Sequence, residues 1–588
     1  MAHERDLSSG KPMQPDPGRA VGWGPSIIVL VLVTLAAGLP LLFGRVLAGH
    51  DIVVYLINAQ QMAENLRSGE VFPAWGGGFN AGYGSPSLLF FPPLTSYLHA
   101  MPVLAGIPVI LGVGFWSLTG LFLSGLAMFG WLRSTDHARG ALQAAVVYMV
   151  SSYRLIDLYH RSALAEHWAF IWPPLIIWVA VSSNLRPAVQ SALTAICVAA
   201  LLTSNIPLGV LFGCGLALWF LTSRALRGRR LTVALGVFLG FGIAAFAIVP
   251  QALSSSLLSV DQYYGSGAGR FRPSANTLFS GDLGAWDFNS QVSAAFVASF
   301  VLVVVAYGLL SPDRRREAGV RAAVVGAALC LAVAAKPAGF FWEALPLLSK
   351  FQFPWRVASL LTFGLALIVA YLDRRRGWFL VGLVVAVSLP FSGWTRTQPL
   401  ATFYSPQPPR PAAGTVFPDP YVAWEAGSGG WYWRHHKLAE IWFLAANVRP
   451  FLLPELAGNR AHQLDAIRTR PAVVSGQPEA TVRVLFWGSV RRELMVVAPA
   501  AGTLMWRAIE FPKMSVTVDG EAVPISADPE TGLVIHELPS GEHRVVWSWS
   551  AFKALRSGRL VSVIAVLTVV GLFLAGAVLG RRRGFVSA

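Results

Sequence analysis

Residues 25–43 read Pro25-Ser26-Ile27-Ile28-Val29-Leu30-Val31-Leu32-Val33-Thr34-Leu35-Ala36-Ala37-Gly38-Leu39-Pro40-Leu41-Leu42-Phe43. No charged side chain interrupts them, and about 20 apolar residues suffice for a helix to cross a bilayer. A signal-peptide core spans only about 7–15 residues. The run therefore reads as a retained anchor, although Val46-Leu47-Ala48 resembles a cleavage site. Similar runs follow at 107–131, 140–152, 168–183, 189–204, 206–223, 231–249, 291–310, 321–336, 355–372, 378–394 and 559–580. Together they predict about twelve spans.

Composition agrees. Of 588 residues, 54% are hydrophobic and 13% charged, where a soluble protein carries about 25% charged residues. The mean hydropathy of +0.55 excludes a soluble globular chain. The net charge is +16, from 46 Lys+Arg against 30 Asp+Glu. In a soluble protein that excess would suggest nucleic acid. Here the arginines cluster between apolar runs, so they read as topology determinants, and no nucleic-acid partner is expected. Cys197, Cys214 and Cys330 all lie inside apolar runs, which gives no disulfide framework and no cysteine metal site.

Arg133 and Arg139, the group Arg224, Arg227, Arg229 and Arg230, and the triplets Arg314–Arg316, Arg374–Arg376 and Arg581–Arg583 fall on one side of twelve spans, with both termini. The positive-inside rule makes that side cytoplasmic. The expected setting is the inner (cytoplasmic) membrane of a bacterium, with membrane lipids as partners. Ser87–Gly106 is apolar as well, but Pro92, Pro93 and Pro102 oppose a straight helix. It is read as a juxtamembrane segment on the outer face. The spans carry essentially no ionisable residue at mid-depth, which argues against an ion-coupled transporter.

The expected domains are a disordered cytoplasmic tail (1–24), a transmembrane unit with outer loops (25–394), an extracytoplasmic domain (395–556) that is β-rich from about 470, and a last span with a basic tail (557–588). Residues 395–460 are rich in Trp, Tyr and Pro, with a helix expected over 434–448. Beyond 470, short strands at 481–486, 492–497, 502–509, 514–518, 532–538 and 543–550 alternate with turns such as Asp519-Gly520. That spacing predicts a small β-sandwich.

Chemistry is expected in the outer loops. In the first, Gly49-His50-Asp51 precedes Ile52, Leu56, Ala59, Ala63 and Leu66 at helical spacing, with Asn58, Gln61, Asn65 and Arg67 on other sides. This predicts an amphipathic helix on the membrane surface. Asp51 reads as its N-cap. A carboxylate fixed there would also serve as a general base. The Gly-rich stretch Trp75–Gly84, which includes Tyr83, is either a connector or a place where backbone approaches a ligand.

In the second loop, Arg154, Asp157 and Arg161 would share a helical face, as an ion-pair ladder or a phosphate clamp. Glu166 lies nine residues beyond Asp157, so the two share a metal only if the helix breaks between them. His160 and His167 read as interfacial. The third loop holds Asp261, Tyr263, Tyr264, Arg270, Arg272, Asp282, Trp286 and Asp287, suited to sugar binding or to an ordinary interface. In the fourth, Phe351-Gln352-Phe353-Pro354-Trp355-Arg356 is either an aromatic belt or a lipid-phosphate site.

Together, His50-Asp51, the Gly-rich aromatic stretch, Phe91-Pro92-Pro93-Leu94, Tyr153–Tyr159 with Arg161, Ala163-Leu164-Ala165-Glu166 and Phe353-Pro354-Trp355-Arg356 resemble bacterial membrane proteins called 6-pyruvoyl-tetrahydropterin synthase-related. These are similar to the GT-C superfamily of polyprenyl-phosphate-dependent glycosyltransferases. Phe511–Gly520 and Leu538–His543 resemble the β-domain of the YfhO-type proteins. The resemblance implies a GT-C-like polytopic α-helical membrane protein with a C-terminal β-sandwich-like extracytoplasmic domain. It implies transfer of a sugar from a polyprenyl-phosphate donor to a glycan, lipid or protein acceptor. Asp51 maps to the catalytic base. Arg154, Arg161 and Arg356 are candidates for the donor phosphate. His50, Tyr83, Tyr153, Tyr263 and Tyr264 are candidates for substrate. Asp157 and Glu166 are candidates for a divalent cation, Mg or Mn. Thr203-Ser204-Asn205 departs from the Thr-His pair of relatives. A lipid or polysaccharide transporter and a non-catalytic envelope assembly protein are the alternatives.

Overall fold

The computed structural model describes residues 22–79, 84–254, 272–280, 288–345, 348–391, 397–400, 471–529 and 532–584. Tyr83, Tyr263, Tyr264 and the expected helix at 434–448 lie outside the described residues.

Each of the twelve apolar runs is helical. Among the described residues, six helical segments suffice by length and composition to cross a membrane: Val109–Arg133, Leu164–Val181, Pro187–Ser204, Arg230–Leu253, Phe288–Leu309 and Lys553–Gly576. Five further apolar helices are shorter, Ala141–Val150 among them. All ten residues of Ala141–Val150 are buried. A helix that is hydrophobic all round belongs inside a bundle, and this one packs against Val109–Arg133 and Ala358–Ala370. The Tyr148 hydroxyl ties it to the Phe170 carbonyl at 2.8 Å. The helix of the fourth apolar run, 168–183, starts earlier than its sequence suggests. Leu164 opens it, so Glu166 and His167 occupy its first turn rather than the loop before it.

Ser87–Gly106 forms two short helices, Ser87–Phe90 and Pro93–Leu104. The second packs along Ile52–Arg67. That first-loop helix is not one-sided. Asn58, Gln61 and Asn65, on its polar side, are as buried as Ala59 and Ala63. They are covered by protein, which a hydrophobic periodicity alone cannot anticipate.

The strands are β1 (Arg45–Val46), β2 (Gln398–Pro399), β3 (Ala472–Val474), β4 (Thr481–Trp487), β5 (Arg491–Ala498), β6 (Gly502–Ile509), β7 (Met514–Val518), β8 (Glu521–Val523), β9 (Ser526–Ala527), β10 (Leu533–Leu538) and β11 (Gly541–Trp549). They form sheets in the orders β1-β2, β3-β6-β10-β9 and β4-β5-β11-β7-β8. All pairings are antiparallel. Buried residues of the two larger sheets meet in one cluster that includes Leu494, Val496, Leu504, Trp506, Val545 and Trp547. Trp75 from the first outer loop is buried in that same cluster, 6.1 Å from the Trp549 ring and 5.5 Å from Phe511.

Candidate functional site

The site is built where residues 44–67 meet residues 151–167, the segments expected to be the first and second outer loops. β1 pairs with β2, and Arg45 Nε donates to Thr397 Oγ1 at 2.7 Å, which pins the chain just before Gly49. The Gly49 amide donates to Ser162 Oγ (3.1 Å), the His50 amide to the His160 carbonyl (3.1 Å) and the Asp51 amide to the Arg161 carbonyl (2.7 Å). The approach is so close that a Cβ on Gly49 would lie 2.5 Å from Ser162 Oγ and 2.6 Å from its amide nitrogen. Only glycine lets the two backbones meet there.

Asp51 occupies the N-cap position of Ile52–Arg67, but its side chain makes no capping hydrogen bond. It is half-buried. Among the described residues its carboxylate has no hydrogen-bond or ion-pair partner. It acts electrostatically on Arg161 and Tyr55. Burial, aided by the Asp51 charge, pushes the Tyr55 phenol well above its ordinary range. Tyr55 therefore stays a neutral hydroxyl that accepts the Ala165 amide at 2.9 Å.

The second loop is where sequence reasoning and structure part. Ser152–Leu155 is α-helical, but Ile156–Arg161 is a π-helix, a form often found at functional sites. Ser162 then takes a left-handed conformation (φ 51°) and ends it. The helix thus breaks between Asp157 and Glu166, and both acids reach Arg161. Arg161 Nη1 donates to Asp157 Oδ1 at 2.5 Å and to Glu166 Oε2 at 2.8 Å. Arg356 Nε donates to Glu166 Oε2 at 3.2 Å. The Tyr153 hydroxyl donates to Glu166 Oε1. Burial and the neighbouring Glu166 carboxylate push the Asp157 carboxyl well above the usual carboxylate range, against the pull of Arg161. Among the described residues its Oδ2 is buried without a partner.

Arg154 does not share the face of Asp157 and Arg161 that an α-helix would give it. Its guanidinium lies 4.1 Å from the centre of the Phe170 ring and donates to the His167 carbonyl (2.9 Å) and Ser124 Oγ (3.2 Å). Arg356 differs from both other arginines. Nε alone is engaged, and its two Nη nitrogens have no protein partner among the described residues. Its guanidinium lies over the Phe353 ring (4.9 Å), while Arg161 lies over Trp355 (4.7 Å). His50 is exposed. Its ring sits 5.1 Å from His160 and 4.9 Å from Phe288, and Phe288 is 5.9 Å from Trp355. The rings form a chain of contacts from His50 to Trp355, the sequence neighbours of Asp51 and Arg356. His160, which reads as interfacial in the sequence, and Phe288, which carries no motif there, meet only through the fold.

Asp157 and Glu166 do not fit as a metal pair in this arrangement, because one arginine nitrogen stands between them where a shared cation would. Among the described residues, no three His, Cys, Asp or Glu side chains converge on a point. Tyr153 is buried and its hydroxyl is engaged with Glu166, so it orients that acid. At the Thr203-Ser204-Asn205 departure, Asn205 caps Ile206–Thr222 by accepting the Leu208 amide at 2.9 Å. Ser204 Oγ accepts from Trp172 Nε1.

No protein-family model and no curated protein matches the chain, so the YfhO-type resemblance has no family match behind it. Two solved structures resemble the chain. Both are cryo-EM structures of the arabinofuranosyltransferase AftD from Mycobacteria, one of them a mutant. The mutant aligns with a TM-score of 0.39 and 17% identity over 64% of this chain. The other aligns with a TM-score of 0.40 and 18% identity, again over 64%. The chain spans only 28% and 27% of their lengths.

Proposed function

We propose that the chain is a GT-C-type membrane glycosyltransferase that moves a sugar from a polyprenyl-phosphate donor to an acceptor at the outer face of a bacterial inner membrane. The observation that carries this reading is Asp51: a half-buried carboxylate, fixed through its own backbone against Arg161, that does not cap its helix and, among the described residues, pairs with no cation. A general base must be held in place and left open in that way.

In the proposed reaction, Asp51 takes the proton of the acceptor hydroxyl as that oxygen attacks the anomeric carbon. The bond from that carbon to the phosphate oxygen breaks, and polyprenyl phosphate departs with the electron pair. The Nη edge of Arg356 meets the charge developing on phosphate. Asp157, Arg161, Glu166 and Tyr153 form a rigid base beneath it, since Glu166 holds both Arg161 and Arg356. The His50–His160–Phe288 wall offers ring faces to the sugar or the isoprenoid chain. One base on one face makes inversion the simplest outcome. No step is routed through a divalent cation, because Asp157 and Glu166 are bridged by arginine.

The test is sugar release from a panel of polyprenyl-phosphate sugars by the purified protein in lipid nanodiscs, with cell-envelope extract as acceptor source. Release from one donor supports the reading. Arg356→Ala should then raise the donor KM by about tenfold or more, as loss of a charged hydrogen bond to phosphate does. Unchanged donor kinetics in Arg356→Ala would remove Arg356 from the donor site.

A further inference from the structure

The C-terminal β-domain grips the helix that carries Asp51. Gln61, fully buried, donates from Nε2 to Ser489 Oγ (3.0 Å) and to Asn65 Oδ1 (2.6 Å), and its Oε1 accepts the Gly78 amide (2.7 Å). Ser489 Oγ donates in turn to Asn65 Oδ1 (3.1 Å), and Asn65 Nδ2 donates to the Trp75 carbonyl (2.8 Å). Arg492, also fully buried, donates to the Gly77 carbonyl at 2.9 Å. Gly77 lies so close to Ser489 that a Cβ on it would sit 2.6 Å from the Ser489 Cα. Trp75, beside these contacts, is buried in the β-domain's own core.

These contacts leave the helix little freedom at one end, and the other end is Asp51. Gln61 lies about 15 Å from Asp51 along a helix that rises about 1.5 Å per residue. The buried side-chain groups of Gln61, Asn65 and Ser489 all find partners, and a buried polar network satisfied in that way specifies one geometry. We infer that Gln61, Asn65 and Ser489 are positioning residues: the β-domain sets the place of Asp51 by clamping the far half of its helix. The role assigned to Asp51 rests on the proposed transferase reading; the clamp itself does not.

The experiment is hydrogen exchange on the full chain in nanodiscs, comparing wild type, Ser489→Ala, Gly77→Ala and the outer-face control Ser515→Ala. Both clamp variants should exchange about tenfold faster over residues 48–60, with Arg491–Ala498 and Gly541–Trp549 still protected as in wild type. In the sugar-release assay their turnover should fall with the donor KM unchanged, and the control should match wild type. Wild-type protection over 48–60 with loosening confined to 75–85 would overturn the inference. Should Ser489→Ala strip protection from the strands as well, Gly77→Ala decides, because it leaves every β-domain side chain in place. A wild type that releases no sugar would defeat the transferase reading, and the exchange pattern would still decide the clamp.

Discussion

Asp51 and Asp157 both lie near Arg161, and their surroundings give them different chemistry. Asp51 is half-buried and unengaged among the described residues, whereas Asp157 is fully buried, holds Arg161 through Oδ1 and leaves Oδ2 without a partner. Burial disfavours the charged form of Asp157, and Asn keeps an Oδ1 acceptor for Arg161, so Asp157→Asn should be tolerated better than Glu166→Gln. Glu166 carries two arginines and a tyrosine hydroxyl, and breaking such a buried pair costs about 3–5 kcal/mol. Thermal unfolding of the two variants in nanodiscs checks the order; equal losses would contradict the protonation argument. Gly49→Ala should be as severe, because its Cβ would strike Ser162 backbone that cannot swing aside. At this scale the sequence pointed to Asp51, Asp157, Arg161, Glu166 and Arg356. It did not give the left-handed Ser162 that unites them, since serine is neither a helix breaker nor a usual residue at positive φ. Arg154 leaves the face that an α-helix would share with Asp157 and Arg161 because the chain is π-helical from Ile156 to Arg161.

Among the elements, the strands were legible because alternation and turn residues are local signals. β4, β5, β6, β7, β10 and β11 fall within a few residues of the predicted runs. The Asp519-Gly520 turn joins β7 to β8, and it gives a pH prediction. Asp519 accepts from the Arg544 amide (2.8 Å) and pairs with His543 Nδ1 (2.7 Å). The His543 hydrogen bond holds the Asp519 carboxyl below its usual range, and the same bond raises the His543 imidazole. Asp519's contribution is present above the ordinary carboxylate pKa of about 4 and is lost as pH falls through its lowered value. His543's contribution is present below the ordinary value of about 6.5 and is lost as pH rises through its raised value. Asp519→Asn should therefore destabilise most between about pH 4 and 6.5, by a small amount because the carboxylate is half-exposed. Melting of the full chain against pH checks it; a gap that keeps widening above the histidine range would contradict it. The first-loop helix was half legible. Its apolar side follows the 3.6-residue period, whereas its polar side is covered by the β4–β5 turn, more than 400 residues away in sequence.

For the whole molecule, the twelve apolar runs are helices because they are apolar enough to bury or to face lipid. Their crossing count and orientation rest on the arginine pattern. In a background lacking Cys197, Cys214 and Cys330, Ser311→Cys should react with an impermeant thiol reagent only from the cytoplasmic side, and Glu521→Cys only from outside. The reverse pattern would place the site of Asp51 on the wrong face for an extracytoplasmic acceptor. The two-loop site and its β-domain clamp join segments from residues 45 to 549, and no single-sequence period reports such long-range contacts.

The role of Asp51 is tested most directly by sugar release from wild type against Asp51→Asn, each in nanodiscs with the productive polyprenyl-phosphate donor, with and without EDTA. Loss of a positioned general base predicts a fall in turnover of about 100-fold or more in a folded Asp51→Asn variant. Wild-type release is expected to be unaffected by EDTA, as the arginine-bridged acids require. Equal release by both proteins would contradict the role of Asp51, and with it the site.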